Sequence, residues 1–322
     1  MNIKLVAIDE AHCVSMWGHD FRPEYTQLKI FRKSLPNIPF IALTATADKS
    51  ARIDIEEQLG LINPKLFISS FDRKNLSIDV RGQVPKRKKL QEIKRFVEQK
   101  KNESGIIYCL SRKNTEEVAE FLKEYGNSVA FYHAGMSSEE RESDQTKFIY
   151  DDIKIIIATI AFGMGIDKSN IRWVIHYNLP KNLEGYYQEI GRAGRDGLPS
   201  ETRLYYNMRD FVLYNQFADD GANSKMQKEK LRRMLQFAEA KSCRRKILLS
   251  YFGEHLIENC GNCDVCDNPP IDFEGTLLAQ KALSGIARMK EMEGITMLIN
   301  VLRGSNNAEV IEGVITNSKP MV

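Results

Sequence analysis

The run Lys154-Ile155-Ile156-Ile157-Ala158-Thr159-Ile160-Ala161-Phe162-Gly163-Met164-Gly165-Ile166-Asp167-Lys168 decides the fold. Ile155 to Ala158 is apolar without alternation, as a strand is when helices cover both of its faces. The chain then breaks into a Gly-x-Gly turn at the carboxyl edge, where sheets of this kind bind their ligands. The same pattern recurs on both sides. Helices are expected over Arg87–Gln99, Thr115–Tyr125, Ser137–Ile149 and Leu183–Ile190. Strands are expected over Gly105–Leu110, Ser128–Tyr132, Lys154–Ala158, Trp173–Tyr177 and Thr202–Tyr206. Residues 85–208 therefore read as one complete α/β lobe with a parallel sheet and flanking helices.

Residues 1–71 repeat the alternation in part, as the carboxyl-terminal half of a first lobe. Strands are expected to Asp9, over Phe40–Thr44 and over Leu66–Ser69, with helices over Pro23–Phe31 and Lys49–Leu59. The polar stretch around Arg73-Lys74-Asn75 and the turn at Gly82 make 72–84 a linker. After Met208 the pattern becomes helical. Lys228–Ala240 and Cys243–Phe252 read as a hairpin with Ser242 as N-cap, and a cysteine knuckle follows, so 209–271 forms a helical subdomain. Pro269-Pro270 breaks the chain before 272–322, which holds a helical segment Leu277–Lys290 and an apolar stretch Ile295–Leu302.

The 322 residues, 43% hydrophobic and 28% charged, are ordinary for a globular protein of two or three domains. No apolar run approaches the ~20 residues of a membrane span, and the first ten residues lack the make-up of a signal peptide. The sequence thus reads as cytoplasmic and not membrane-bound. A net charge of +3 is too small to argue nucleic-acid binding, which must come from local clusters.

Asp9-Glu10-Ala11-His12 closes the strand Ile3–Ile8. A carboxylate at a strand's carboxyl end is where an NTPase of this architecture holds the Mg²⁺ of ATP, and the next acid can polarise the attacking water. A solvated Asp-Glu pair is the alternative for the dipeptide alone. No loop ending in Gly-Lys-Ser or Gly-Lys-Thr occurs in the chain. The chain therefore reads as beginning in mid-domain. Thr44-Ala45-Thr46-Ala47, after the next strand, can sense the carboxylates. Between them, Ser15–Tyr25 carries Trp17, His19, Phe21 and Arg22. Bases could stack on Trp17 and Phe21 with Arg22 on a phosphate, or these aromatics could pack inside.

Gln188-Glu189-Ile190-Gly191-Arg192-Ala193-Gly194-Arg195-Asp196-Gly197 places two arginines three apart, read as one helical face, where guanidinium groups can reach a transferring phosphoryl. The 159–168 turn is neither a dinucleotide fingerprint, since position 168 is Lys, nor a phosphate loop, since Asp167 stands where Gly is needed. Thr159 and Gly163 can instead contact nucleic-acid phosphate, a plain strand-to-helix turn being the alternative. Cys243-x16-Cys260-x2-Cys263-x2-Cys266 offers four thiolates to a structural tetrahedral Zn²⁺. A [4Fe–4S] cluster would need a further Cys after Cys266, where Asp267 follows. Lys241, Arg244, Arg245 and Lys246 would offset the thiolate charge or contact DNA.

Taken together, Asp-Glu-Ala-His, the aromatic loop, Thr-Ala-Thr-Ala, Gly-Met-Gly-Ile-Asp-Lys, Gln-Glu-x-Gly-Arg-Ala-Gly-Arg-Asp-Gly and the cysteine spacing resemble the RecQ family of superfamily 2 DNA helicases. Gly105–Arg112 and Tyr132–Met136 look like further family segments. The resemblance implies two RecA-like lobes, the first partial, then a zinc subdomain and the start of a winged helix at 272–322. It implies ATP-driven 3′-to-5′ translocation on single-stranded DNA and opening of duplex DNA, in recombination, repair and the SOS response. By that resemblance Arg195 is the arginine finger, Arg192 its neighbour, Gln188 a nucleotide contact, and Asp9, Glu10 and His12 catalytic. A single-strand-binding protein is a candidate partner, and a bacterial source would make the protein nucleoid-associated. Without its phosphate loop the isolated chain is expected neither to bind ATP tightly nor to unwind DNA. The alternative is a non-catalytic, zinc-stabilised DNA-binding module.

Overall fold

The computed structural model describes residues 3–15, 22–163, 166–218, 224–271, 273–289 and 294–305. It divides into two units, Met1–Pro269 and Pro270–Val322. The first begins with β1 (Val6–Ile8), a 3-10 turn (Ala11–Val14), α1 (Pro23–Thr26), α2 (Lys29–Ser34), β2 (Phe40–Ala42) and α3 (Lys49–Leu59). It continues through β3 (Leu76–Gly82), α4 (Lys86–Gln99), β4 (Ser104–Tyr108), α5 (Arg112–Glu124), β5 (Val129–Tyr132) and α6 (Ser138–Ile149). Then come β6 (Ile155–Ala158), β7 (Ile171–His176), α7 (Leu183–Ile190), β8 (Ser200–Tyr206), α8 (Met208–Phe217), α9 (Ser224–Glu239), α10 (Arg244–Tyr251) and the short α11 (Asp264–Asp267). The second unit contributes α12 (Thr276–Arg288) and α13 (Ile295–Leu302).

Helix starts follow local chemistry. Asp48, Ser111 and Asn182 each accept a main-chain N–H of the first turn, and Ser137 with Glu140 forms a reciprocal capping box on α6. The expected cap at Ser242 does not form. The N-cap of α10 is Cys243, which makes no side-chain cap bond. The helix expected over Pro23–Phe31 is divided between α1 and α2, and α8, capped by Asn207, precedes the first helix delimited in the helical stretch after Met208.

Six parallel strands pair in the order β3-β8-β7-β4-β6-β5. Their side chains alternate between two cores. Ile107, Ile157, Trp173 and Ile175 pack with α4 and α5, while Ile106, Ile156, Val174 and Leu204 pack with α6, α7, α9 and α10. β4 and β6 are buried along their whole length. The linker expected over 72–84 proves to contain β3, whose Leu76, Ile78 and Val80 are buried while the residues between them are not. β3 is an edge strand and alternates where the central β4 and β6 do not. Its open side meets the cysteine knuckle, Ile78 bridging Cys263 and donating its N–H to the Asn262 carbonyl at 3.4 Å.

β1 and β2 form a separate parallel pair backed by α3, with Ile8, Ala51, Ile55 and Leu59 as its core. Leu66–Ser69 is not a strand. Leu66, Phe67 and Ile68 are 60%, 87% and 53% exposed, because an apolar run becomes a strand only when a neighbour supplies the ladder. Among the described residues no helix is long and apolar enough to cross a membrane.

Candidate functional site

β1 delivers Asp9 and Glu10 at its carboxyl end. Asp9 is exposed, and its Oδ1 accepts the Glu10 N–H at 2.8 Å. Glu10 takes a left-handed backbone, φ 49°, a conformation that costs a non-glycine residue about 1–2 kcal/mol and aims its carboxylate back over the turn. His12 is buried beneath, its Nδ1 3.3 Å from Glu10 Oε2 and 3.0 Å from Thr44 Oγ1. A proton on Nδ1 is donated toward those oxygens, leaving Nε2 3.7 Å from Cys13 Sγ. Thr44 Oγ1 also accepts the Thr46 N–H at 3.3 Å, and the buried Thr46 hydroxyl itself has no partner among the described residues. A continuous polar path thus joins Glu10 to the Thr-Ala-Thr-Ala turn. From the second lobe, Gln188 Nε2 donates to Glu10 Oε2 at 3.4 Å, bringing these two predicted residues together across the lobes.

The two arginines do not share a helical face. α7 stops at Ile190, and Arg192 and Arg195 lie in the turn beyond, where Gly194 has φ +59°. Arg192 Nη1 donates to the Gly163 carbonyl, and Arg195 Nη1 donates to Ile166 O at 2.9 Å and Asp167 Oδ1 at 3.0 Å. The arginine turn therefore holds the Gly-x-Gly turn of its own lobe. A Cβ on Gly163 would lie 2.6 Å from Arg192 Nη2, so any larger residue there would have to displace the guanidinium. Thr159 sits half-buried at the end of β6, donating its N–H to Tyr132 O at 3.1 Å. Lys168, whose turn reads as no phosphate loop, is buried with Nζ 3.0 Å from Asp151 Oδ1 and is a structural tie. Trp17, His19 and Phe21 lie outside the described residues; Arg22 donates its N–H to Cys13 O at 2.8 Å.

Arg73 escaped the sequence reading. It donates to the carbonyls of Gly191, Ala193 and Gly194 at 3.3, 3.0 and 2.8 Å, beside Asn75, which donates to Gly194 O and Leu198 O. Main-chain recognition of this kind leaves no pattern in a single sequence.

The four cysteines converge, their Sγ atoms all within 4.8 Å of one another. Cys260 and Cys266 stand 3.8 Å apart, and zinc–sulfur bonds of about 2.3 Å in a tetrahedron require about 3.8 Å between sulfurs. Burial pushes the Cys243 thiol up, but N–H donors from Cys260 and Lys246 and bonds from Cys260 and Cys266 bring it down to about 7. Burial pushes Cys260 up to about 12. A cation at the centre would favour the thiolate form of both, so the donor set fits a closed structural zinc site. Arg244 and Arg245 are not available to DNA. Both are buried: Arg244 pairs with Asp264 at 2.9 Å and donates to Phe237 O and Ala238 O, and Arg245 pairs with Asp72 at 2.7 Å and donates to Arg73 O and Leu76 O.

Comparison with known proteins agrees with this arrangement. The helicase conserved C-terminal domain matches residues 88–197, the RecQ zinc-binding family 208–267 and the RQC domain 269–318. The ATP-dependent DNA helicase RecQ of Pasteurella multocida is 46% identical over 96% of this chain and 49% of its own length. That of Haemophilus influenzae is 46% identical over 95% and 50%, and that of Bacillus subtilis 40% over 97% and 53%. The chain thus spans about half the length of these curated relatives. In fold it is similar to Saccharomyces cerevisiae Dbp5 bound to RNA and ADP BeF3, with TM-score 0.54 at 19% identity over 71% of this chain and 63% of that one. It is also similar to the Mycobacterium smegmatis helicase Lhr bound to ssDNA and AMP-PNP, with TM-score 0.51 at 21% identity over 73% and 33%. With a parallel-sheet lobe, a four-cysteine zinc module and an RQC segment in that order, the chain belongs to the RecQ family of helicases.

Proposed function

We propose that the chain supplies, to an ATP-dependent 3′-to-5′ DNA helicase, the acids that act on the water, the second nucleotide-gripping lobe and a zinc-stabilised DNA-binding region. The observation that carries this is the contact of Gln188 with Glu10, which joins the motif carrying the two arginines to the motif carrying the two acids. Asp9 would hold the Mg²⁺ that accompanies ATP, an ion that neutralises phosphate charge. Glu10 would accept a proton from the attacking water, with His12 fixing the carboxylate and linking it to Thr44. Arg195 would act as the arginine finger and Arg192 as its neighbour. Either would have to exchange its present carbonyl for a phosphate oxygen. Thr159, Gly163, Trp17, His19, Phe21 and Arg22 would line the strand track, and DNA recombination and repair at the nucleoid would be the setting.

The 322 residues include no Gly-Lys-Ser/Thr loop, so the isolated chain should bind tailed DNA without hydrolysing ATP. That favours a second reading for this polypeptide by itself, a non-catalytic zinc-stabilised DNA-binding module. Titrating it with a fluorescent 3′-tailed DNA duplex and the matching RNA duplex at fixed salt, beside an ATPase assay, tests both readings. Preference for DNA with no turnover is expected. Robust DNA-stimulated turnover would refute the inactivity, and failure to bind either duplex would refute the DNA-motor assignment.

A further inference from the structure

Residues 70–76 are gripped from two sides. On one side stands the zinc subdomain. Glu254 accepts the Phe71 N–H at 2.6 Å and the Ser70 hydroxyl at 2.8 Å, and Phe252 stacks on Phe71 at 4.5 Å with the rings 6° from parallel. Arg245 spans Asp72, Arg73 O and Leu76 O, and Asn262, between two zinc-ligand cysteines, donates to Lys74 O and Leu76 O at 3.2 Å each. On the other side stands the arginine turn, where the side chain of Arg73 donates to the carbonyls of Gly191, Ala193 and Gly194 and Asn75 donates to Gly194 O and Leu198 O. Gly194 also lacks room for anything larger, since a Cβ would meet Asn75 Nδ2 at 2.4 Å.

Arg73 is an odd choice if packing were its only task. It brings a third positive charge to a turn that already bears Arg192 and Arg195, and meets it through carbonyl oxygens, with no carboxylate paired to it among the described residues. Five N–H donors in a rigid plane suit a different task, which is fixing the path of a backbone. The same residue's own carbonyl is held by Arg245 at 2.6 Å. The main chain of one residue is thus tied to the zinc subdomain and its side chain to the turn.

We propose that Arg73 is a positioning residue and that residues 70–76 form a strap through which zinc occupancy at Cys243, Cys260, Cys263 and Cys266 sets the order of the Gly191–Gly197 turn. The use of that order to place Arg192 and Arg195 on nucleotide rests on the helicase reading above; the coupling does not. A zinc knuckle that collapses releases Asn262 and Arg245, the strap loosens, and Arg73 no longer fixes the carbonyls of the turn.

Hydrogen exchange on the whole 322-residue chain reads this, at residues 191–197, with zinc bound and after stripping by a chelator. Stripping should speed exchange there at least tenfold while β4 and β6 stay protected. In Arg73→Gln the zinc-bound chain should already exchange fast at 191–197, and stripping should add less than twofold. No change at 191–197 on stripping, or equal speeding in both chains, overturns the strap. Should stripping unfold β4 and β6 as well, zinc-bound Glu254→Gln decides. With four thiolates still metallated, faster exchange at 191–197 supports the strap and unchanged exchange overturns it. Tailed-DNA binding by the same preparations scores the motor reading separately, so coupling without DNA binding would keep the strap and sink the motor.

Discussion

β1 and β2 are as apolar as β4 and β6, yet the two pairs meet opposite fates. Every residue of β4 and β6 is buried, whereas β1 and β2 keep Ala7 and Ile41 in solvent, with Leu5, Leu43 and Phe67 beside them. The larger sheet has helices on both faces and the two-stranded one has α3 on one. Sequence hydrophobicity states that a segment can be covered; topology decides whether it is.

The sharpest way to break that comparison is to cut into both regions. Trp173→Ala, in the fully buried core beside Phe96, should cost about 3–5 kcal/mol in chemical denaturation. Phe67→Ser, at a residue 87% exposed, should change stability by less than about 0.5 kcal/mol. Similar losses in both would mean that Phe67 is covered in solution. Gly105→Ala should come next, since its Cβ would fall 2.0 Å from Trp173 Cδ2 and the buried strand has little freedom to move. A loss of about 1–3 kcal/mol is expected by urea titration, and a smaller one would show β4 shifting as a unit.

The amino edge of the large sheet supplies a pH test. Burial pushes the Asp151 carboxyl up, but hydrogen bonds from Lys154, Lys168, Ser104 and Asn170 outweigh it and hold it well below the usual carboxylate range. The stabilisation is therefore complete above the unfolded value near pH 4 and is lost as pH falls toward the depressed one. Asp151→Asn should lose about 1–2 kcal/mol at neutral pH and flatten the acid limb of stability between about pH 4 and 2. An unchanged acid limb would sink that assignment. Gly163→Ala should be mildest, below about 1 kcal/mol in thermal unfolding, because the atom its Cβ meets is the movable end of Arg192. A large loss there would mean that Arg192 cannot swing, which would weaken its nucleotide role.

Much of this was legible beforehand, for reasons that differ by element. The central strands β4 and β6 announce themselves by their apolar runs Ile106–Tyr108 and Ile155–Ala158, and the zinc cluster because three of its ligands lie within seven residues. β3 was missed although Leu76-Ser77-Ile78-Asp79-Val80-Arg81 alternates strictly, because continuous runs are the mark of inner strands and β3 lies at an edge. Leu66–Ser69 was overread for the converse reason. The sequence reads Arg244 and Arg245 as offsetting the thiolate charge or contacting DNA, and burial against Asp264 and Asp72, the second of them more than 170 positions away in the chain, removes only the DNA alternative. The turn bearing Arg192 and Arg195 was legible as a motif, but its tie to Gly163 and Arg73 comes from the fold alone.

The bridge between Ile78 and Cys263 also bears on how the protein is kept from sticking to itself. A bare edge strand is a template for a second chain, and natural sheets usually blunt it with charge, proline or a bulge. Here the Leu76–Ile78 part of the β3 rim is covered by the cysteine knuckle, with the Ile78 N–H and the Leu76 carbonyl engaged by Asn262. Metal supply thereby becomes a matter of colloidal behaviour: a cell short of zinc would hold a population of this chain with an open sheet edge, prone to aggregate before it is degraded.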